Sequence, residues 1–323
     1  VISMNNFDII DIGDGAEEEA RQTAARRMFM YSERALLAAD EVDRKYVVFP
    51  DLRNVLAALD RAYQLALRTS RPQGILISGP PGSSKTSVTT YFKRGLPAAT
   101  DIIDGHGALG IRLRSNPCAG AIVSLLLRAV RHPFTTIRSG RLGTMRDIAF
   151  EALQQLGTRM VVVDQAHVLA QTARRSRVSK AALETTASEV LRDLMDETGV
   201  ALVLLACEGF GGLESIDGSL ADRVSVRLTL KHFDEDASWR GFLSHIGQGT
   251  TCIDFKLLAD PEIAALTHRA VLGNRRRTKL LLTEAVLVAI DAGEKVVQRA
   301  HLELAFQRIC GPAGQVVNPY AAA

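Results

Sequence analysis

Lys85, Thr86 and Ser87 follow the turn Gly79-Pro80-Pro81-Gly82-Ser83-Ser84, which ends the apolar run Ile75-Leu76-Ile77-Ser78. A β-type run, a Gly/Pro turn and a helix-like stretch (SVTTYFKR) in that order build a phosphate cradle. Backbone N–H groups and the helix start face the anion, and a lysine adds full positive charge. The spacing fits G-x-x-x-x-G-K-[S/T], with Ser84 where the second glycine is expected. A side chain there crowds a place where backbone must approach phosphate closely. Gly79 through Ser87 are therefore expected to hold ATP.

The run Met160-Val161-Val162-Val163 delivers Asp164 to the end of an apolar β-type segment. A carboxylate there and the Thr86 hydroxyl are hard oxygen donors of the kind that hold Mg²⁺ beside a triphosphate. A helix-capping aspartate is the bland alternative. Gln165 stands next, where hydrolytic proteins of this layout usually carry a glutamate. An amide takes no proton at neutral pH and can only orient water. Either turnover is slow and ATP acts as an assembly switch, or the residue is a Glu→Gln change that traps bound nucleotide. His167 is a surrogate base in principle, although a lone histidine after a strand is more often structural.

Alternation of elements positions these groups. Strands are expected at 75–78, 110–114, 160–164, 201–207 and 224–230, with helical patterns between them (AGAIVSLLLRAV, TMRDIAFEALQQL, ASEVLRDLMDETG). That order predicts an α/β fold: a parallel five-stranded sheet sandwiched by helices, with ligands beyond the carboxyl ends of the strands. Residues 1–45 read as an acidic leader and a charged helix, 46–235 as the nucleotide-binding core, 236–310 as a small helical lid of three helices, and 311–323 as a flexible tail.

The chain has 323 residues, 47% of them hydrophobic, enough for a sizeable core. No apolar run reaches membrane-span length, and the acidic start lacks the basic flank of a secretory signal. Cys118, Cys207, Cys252 and Cys310 are far apart, which argues against a metal cage or disulfide framework and suits the cytoplasm. Net charge is +3, but six of the 36 acids lie in residues 1–20, which have no Lys or Arg; the remainder carries 39 bases against 30 acids. A basic body is compatible with nucleic acid.

Taken together, the chain resembles AAA+ P-loop ATPases, and more narrowly the TniB/TnsC transposition regulators, with bacteriophage Mu B protein as a cousin. The likeness covers roughly residues 45–305. It rests on VVFPDLRNVLAALDRA, the phosphate loop, VVVDQAHVL, SEVLRDLMDETGVALVLLACEGF, SLADRVSVRLTLKHF and TKLLLTEAVLVAIDAGEKVVQRAHLELAF. The resemblance implies that Arg223 is an arginine finger donated to a neighbour's ATP; a surface arginine pairing with Asp222 is the plainer reading. It puts Cys207 where relatives carry a polar sensor, and makes Arg276 or Arg277 a second phosphate sensor.

The resemblance further implies ATP- and Mg²⁺-dependent rings or helical filaments on duplex DNA, with a DDE transposase and a TniQ-like targeting protein as partners. Two basic stretches are candidates for the DNA: Arg112 with Arg114, and the acid-free run Arg174, Arg175, Arg177 and Lys180. Without interleaved aromatics, contact to backbone phosphates is favoured over base stacking. The rival readings are a helicase loader or replication initiator of the same ATPase class, and a nucleotide-gated signalling module that binds no DNA.

Overall fold

A computed structural model describes residues 31–69, 72–96, 107–137, 140–170, 186–210, 212–310 and 317–321. The described elements are α1 (Glu33–Arg44), α2 (Pro50–Leu65), β1 (Ile75–Ser78), α3 (Lys85–Arg94), β2 (Ala108–Arg112), α4 (Ala119–Ala129), α5 (Leu142–Gln155), β3 (Met160–Asp164), α6 (Ala187–Thr198), β4 (Ala201–Leu205), α7 (Gly218–Arg223), β5 (Val226–Thr229), α8 (Ala237–Gly249), α9 (Pro261–Val271), α10 (Arg275–Asp291) and α11 (Arg299–Cys310). They fall into two compact units. Among the described residues, one comprises those within 46–243 and 264–278, and the other those within 31–45, 244–263 and 279–321.

The first unit holds the sheet, ordered β2-β3-β4-β1-β5 and parallel throughout. Position in the sheet explains the residue patterns. Strand β4 is buried along its whole length and β3 up to Val163, so both are continuous apolar runs. The outer strands β2 and β5 alternate, with Gly110 and Arg112 of β2 exposed. On one face Leu109, Ile111 and Leu113 pack with Ile122, Leu126, Phe150, Leu191 and Leu194. Burying a Leu- or Ile-sized side chain of this kind is worth roughly 1.5–3 kcal/mol.

Capping chemistry fixes the helix ends. Thr186 and Glu189 form a reciprocal capping box at the start of α6, and Gly199 ends that helix with φ 71°. Pro50 occupies the first turn of α2, where its missing N–H costs nothing.

Three expectations need correction at their boundaries. Strand β2 runs over 108–112 rather than 110–114, because its pairing with β3 spans Ala108↔Met160 to Arg112↔Asp164. Arg114 is thus two residues past the strand. Strand β4 ends at 205 rather than 207, and β5 runs over 226–229 rather than 224–230. A further helix, α8, precedes the three expected near the C-terminus. Its signal was present in Asp236, whose carboxylate accepts from Trp239 N–H at 3.0 Å, and in the helical spacing of Trp239, Phe242, Leu243 and Ile246.

The second unit is tied together by carboxylates. Glu41 of α1 accepts from Thr251 N–H (2.7 Å), Thr251 hydroxyl (2.9 Å) and Cys252 N–H (3.2 Å). These bonds, led by the Thr251 amide, hold its pKa down at about 2. Ser32, the N-cap of α1, donates to Asp291 at 2.7 Å, and Arg308 pairs with Glu284 at 3.0 Å.

Candidate functional site

The phosphate loop leaves β1 at Gly79 and enters α3 at Lys85. Gly79 has no room for a side chain: a Cβ there would lie 2.1 Å from the Leu230 carbonyl oxygen. Gly82 has φ 82°, and its Cβ would lie 2.3 Å from Asn274 Oδ1. Ser84 adopts the left-handed conformation, φ 67°, that the expected glycine takes without strain. It caps α3 without a side-chain hydrogen bond, and no acid occupies the first turn. The first N–H groups of α3 are therefore open toward an anion.

Lys85 spans the loop. Its ammonium donates to the Gly79 carbonyl (2.7 Å), the Pro80 carbonyl (2.8 Å) and Ser83 Oγ (3.2 Å). Burial pushes its pKa down; Asp164 opposes this, and Arg276 adds to it. Thr86 Oγ1 donates to Asp164 Oδ2 at 3.4 Å, so the two expected Mg²⁺ donors lie side by side. Among the described residues no cluster of three His, Cys, Asp or Glu side chains is present. Two oxygen donors suit Mg²⁺, which takes its other ligands from phosphate and water. The glycine cradle, the open helix start and the half-buried ammonium equally suit a triphosphate.

Gln165 follows Asp164 with φ 62°, a second left-handed residue at the same end of the sheet. Its N–H donates to Asp164 Oδ1 at 2.9 Å. With the amide oriented to satisfy both ends, it donates to the Leu113 carbonyl (2.9 Å) and accepts from Arg112 Nη2 (2.7 Å). His167 lies on a short 3₁₀ turn, Ala166–Val168, and its Nδ1 is buried without a hydrogen-bond partner among the described residues. Cys207 is half-buried beyond β4, and the neighbouring Glu208 N–H donates to the Gly79 carbonyl at 3.0 Å.

A brace on the loop was missed by sequence reasoning. Asn274 Nδ2 donates to the Pro81 carbonyl (3.0 Å) and Arg275 Nη1 to the Ser83 carbonyl (2.7 Å); His232 Nε2 lies 3.1 Å from the Pro81 carbonyl oxygen. Arg275 is 5% exposed and sits over the rings of Phe49 (4.2 Å) and Phe233 (4.7 Å). Burial lowers its pKa to about 10, so it stays charged at neutral pH. In the run Gly273 to Lys279 the first arginine is thus structural. The next two, Arg276 and Arg277, donate their N–H groups to Asn274 Oδ1. Of these two, Arg276 is the one whose charge is felt at Lys85.

Arg223 lies at the other end of the sheet. Gly74, just before β1, donates its N–H to the Arg223 carbonyl at 2.9 Å. The four residues of β1 separate that point from the loop, roughly 13 Å. The guanidinium pairs with Asp196 rather than Asp222: Nε to Oδ1 at 2.8 Å and Nη2 to Oδ2 at 2.7 Å, with Nη1 on the Ser219 carbonyl at 2.7 Å. Arg112 and Arg114 lie at the end of β2 and just past it. Arg174, Arg175, Arg177 and Lys180 lie outside the described residues.

The parallel order β2-β3-β4-β1-β5, with the phosphate loop on the interior strand β1, defines an AAA+ P-loop NTPase fold. Solved structures with a similar fold include the Aeropyrum pernix ORC2 protein in ADPNP–ADP complexes (TM-score 0.60, 15% identity, 86% of this chain and 72% of that one). The Aeropyrum pernix ORC1 protein in complex with DNA is a second (0.59, 20%, 84% and 69%). Cdc6p from Pyrobaculum aerophilum is a third (0.59, 15%, 84% and 70%). At such identities the likeness is one of fold. The family model for the bacterial TniB protein matches residues 38–228, and the chain belongs to the TniB family. No curated protein matches the sequence.

Proposed function

We propose that this chain is an ATP-dependent, DNA-binding AAA+ regulator of transposition. One observation carries the reading: Lys85, Thr86 and Asp164 converge at one end of the sheet, while Arg223 stands at the other. An arginine so placed does not reach its own chain's loop across β1, but it reaches the loop of a neighbour stacked head to tail. Heterologous contacts of that kind give rings or open helices. ATP then strengthens the assembly because its γ-phosphate touches two subunits.

In this reading Gly79 through Ser87 cradle the phosphates, with Lys85 giving up loop carbonyls for phosphate oxygens. Thr86 and Asp164 hold Mg²⁺, which supplies charge neutralisation. Arg276 senses phosphate from the start of α10, and the C-terminal helices act as the lid. Gln165 orients water without taking its proton, so turnover is slow and ATP serves chiefly as an assembly switch. Duplex DNA is held by its phosphates through Arg112, Arg114 and the 174–180 run. The assembly marks a target and recruits a DDE transposase together with a TniQ-like partner, in the cytoplasm. No described helix is long and apolar enough to cross a membrane.

The fold neighbours favour a second reading, an initiator- or loader-type ATPase, since they are ORC and Cdc6 proteins and one of them is in complex with DNA. Electron microscopy of the protein with duplex DNA and a non-hydrolysable ATP analogue tests the assembly. Ordered rings or filaments that form only with nucleotide support it; their absence overturns it. Pull-down with transposase against a hexameric helicase separates the two readings.

A further inference from the structure

Strand β2 is one of the two outer strands of the sheet, and a cleft of about 620 Å³ runs along it. Three arginines line this cleft, Arg112, Arg114 and Arg128, and no Asp or Glu does. Gly110 and Arg112 share one side of β2 through the two-residue strand period, and Arg114 follows two residues past the strand end. Arg128 comes from the last turn of α4. A fourth cation approaches from α3: a Cβ on Gly110 would lie 3.3 Å from Lys93 Nζ. Gly110 is exposed and leaves that space open. Among the described residues none of these four cations has a carboxylate partner. By contrast Arg146, Arg192, Arg223 and Arg227 are all ion-paired.

We propose that this edge cleft seats the phosphodiester backbone of duplex DNA, with Arg128 and Lys93 completing a site begun by Arg112 and Arg114. The inference rests on the DNA reading above and adds two residues from separate helices to it. The cations are spread from Gly110 on the strand edge to Arg114 just past its end, a stretch of at most roughly 13 Å, rather than converging on one point. Such a row matches a repeating polyanion better than a single small anion. No aromatic side chain lines the cleft to stack a base, so contact is to phosphate and insensitive to sequence. Arg112 keeps its guanidinium plane oriented through Gln165, 2.7 Å from Nη2, and still has donors to offer.

The test is the salt dependence of duplex affinity, by fluorescence anisotropy with a non-hydrolysable ATP analogue, for wild type, Lys93→Gln/Arg128→Gln and Arg269→Gln. Arg269 is exposed and outside the cleft. Thermal melts establish that each variant folds. The double variant is expected to lose tenfold or more in affinity at low salt, and its log–log salt slope is expected to shrink by roughly 0.9 for each phosphate contact removed. Arg269→Gln keeps the wild-type slope. If wild type binds duplex and the double variant matches it in slope and affinity, the cleft proposal alone is overturned. If wild type binds no duplex, the DNA reading falls and the cleft proposal with it. A parallel titration with poly-glutamate separates the source of the anion. Loss of poly-glutamate binding with an unchanged duplex slope makes the occupant an acidic protein and overturns the proposal.

Discussion

The two ends of the interior strand β1 are built differently. At its carboxyl end the loop is held by many short-range contacts to four of its carbonyls: Lys85 to those of Gly79 and Pro80, Glu208 N–H to that of Gly79 as well, and Asn274 and Arg275 to those of Pro81 and Ser83. At its amino end Arg223 rests on one carboxylate, Asp196, and one carbonyl. Asp196 and Arg223 are both part-exposed, at 45% and 33% of their side chains. The pair is bidentate, the geometry in which a part-exposed ion pair holds best, but it rests on a single carboxylate. The loop end is thus braced from several segments of the chain, whereas at the Arg223 end the guanidinium has one part-exposed carboxylate partner. The contrast suits a site completed by a second subunit.

The largest effect that could break this comparison is at Lys85. Lys85→Ala is expected to lower ATP affinity by a hundredfold or more in calorimetry; unchanged affinity would remove the loop from the nucleotide site. Gln165→Glu should raise phosphate release tenfold or more, within the range general bases contribute, and an unchanged rate would refute the account of that position. Arg223→Ala should keep ATP affinity near wild type in dilute protein while nucleotide-dependent assembly, followed by light scattering, falls about tenfold. A matching loss of affinity in the dilute protein would place Arg223 in its own chain's site. Asn274→Ala should weaken ATP binding only severalfold, because Arg275 still braces the loop; a loss as large as that of Lys85→Ala would make Asn274 a direct ligand.

The smallest effect lies in the other compact unit. Glu41 has a folded pKa of about 2 against an ordinary 4.5, so its contribution is fully present above pH 4.5 and disappears as pH falls toward 2. Glu41→Gln should lower the melting temperature by a few degrees at neutral pH and flatten the acid limb between those values. Equal acid sensitivity in wild type and variant would show that the Thr251 bonds contribute nothing.

Legibility in the sequence followed locality. Strand β1, the loop and α3 are contiguous, so Gly79, Lys85 and Thr86 declare themselves by spacing. Asp164 is legible because a buried parallel strand needs an unbroken apolar run, and the first carboxylate after it marks the strand end. Ser84 looked like a defect in the motif. Its left-handed φ gives the physical reason a glycine is expected there. The brace from Asn274 and Arg275 was not legible, since it joins residues 192 to 193 positions apart through carbonyl acceptors, which leave no side-chain signature. Helix α8 was legible in retrospect from Asp236 and its apolar spacing.

The amino-acid sequence by itself determined the local chemistry: a phosphate-binding turn, an acid at a strand end, and a parallel α/β order, because backbone conformation and hydrophobic period act over a few residues. Only the tertiary structure decided which of the arginines from 275 to 277 is buried among aromatics, that Arg223 faces Asp196 at the far end of β1, and that Lys93 and Arg128 meet the edge of β2. These outcomes depend on packing between distant segments, where burial and the pairing of charges, rather than sequence spacing, set each side chain's partner.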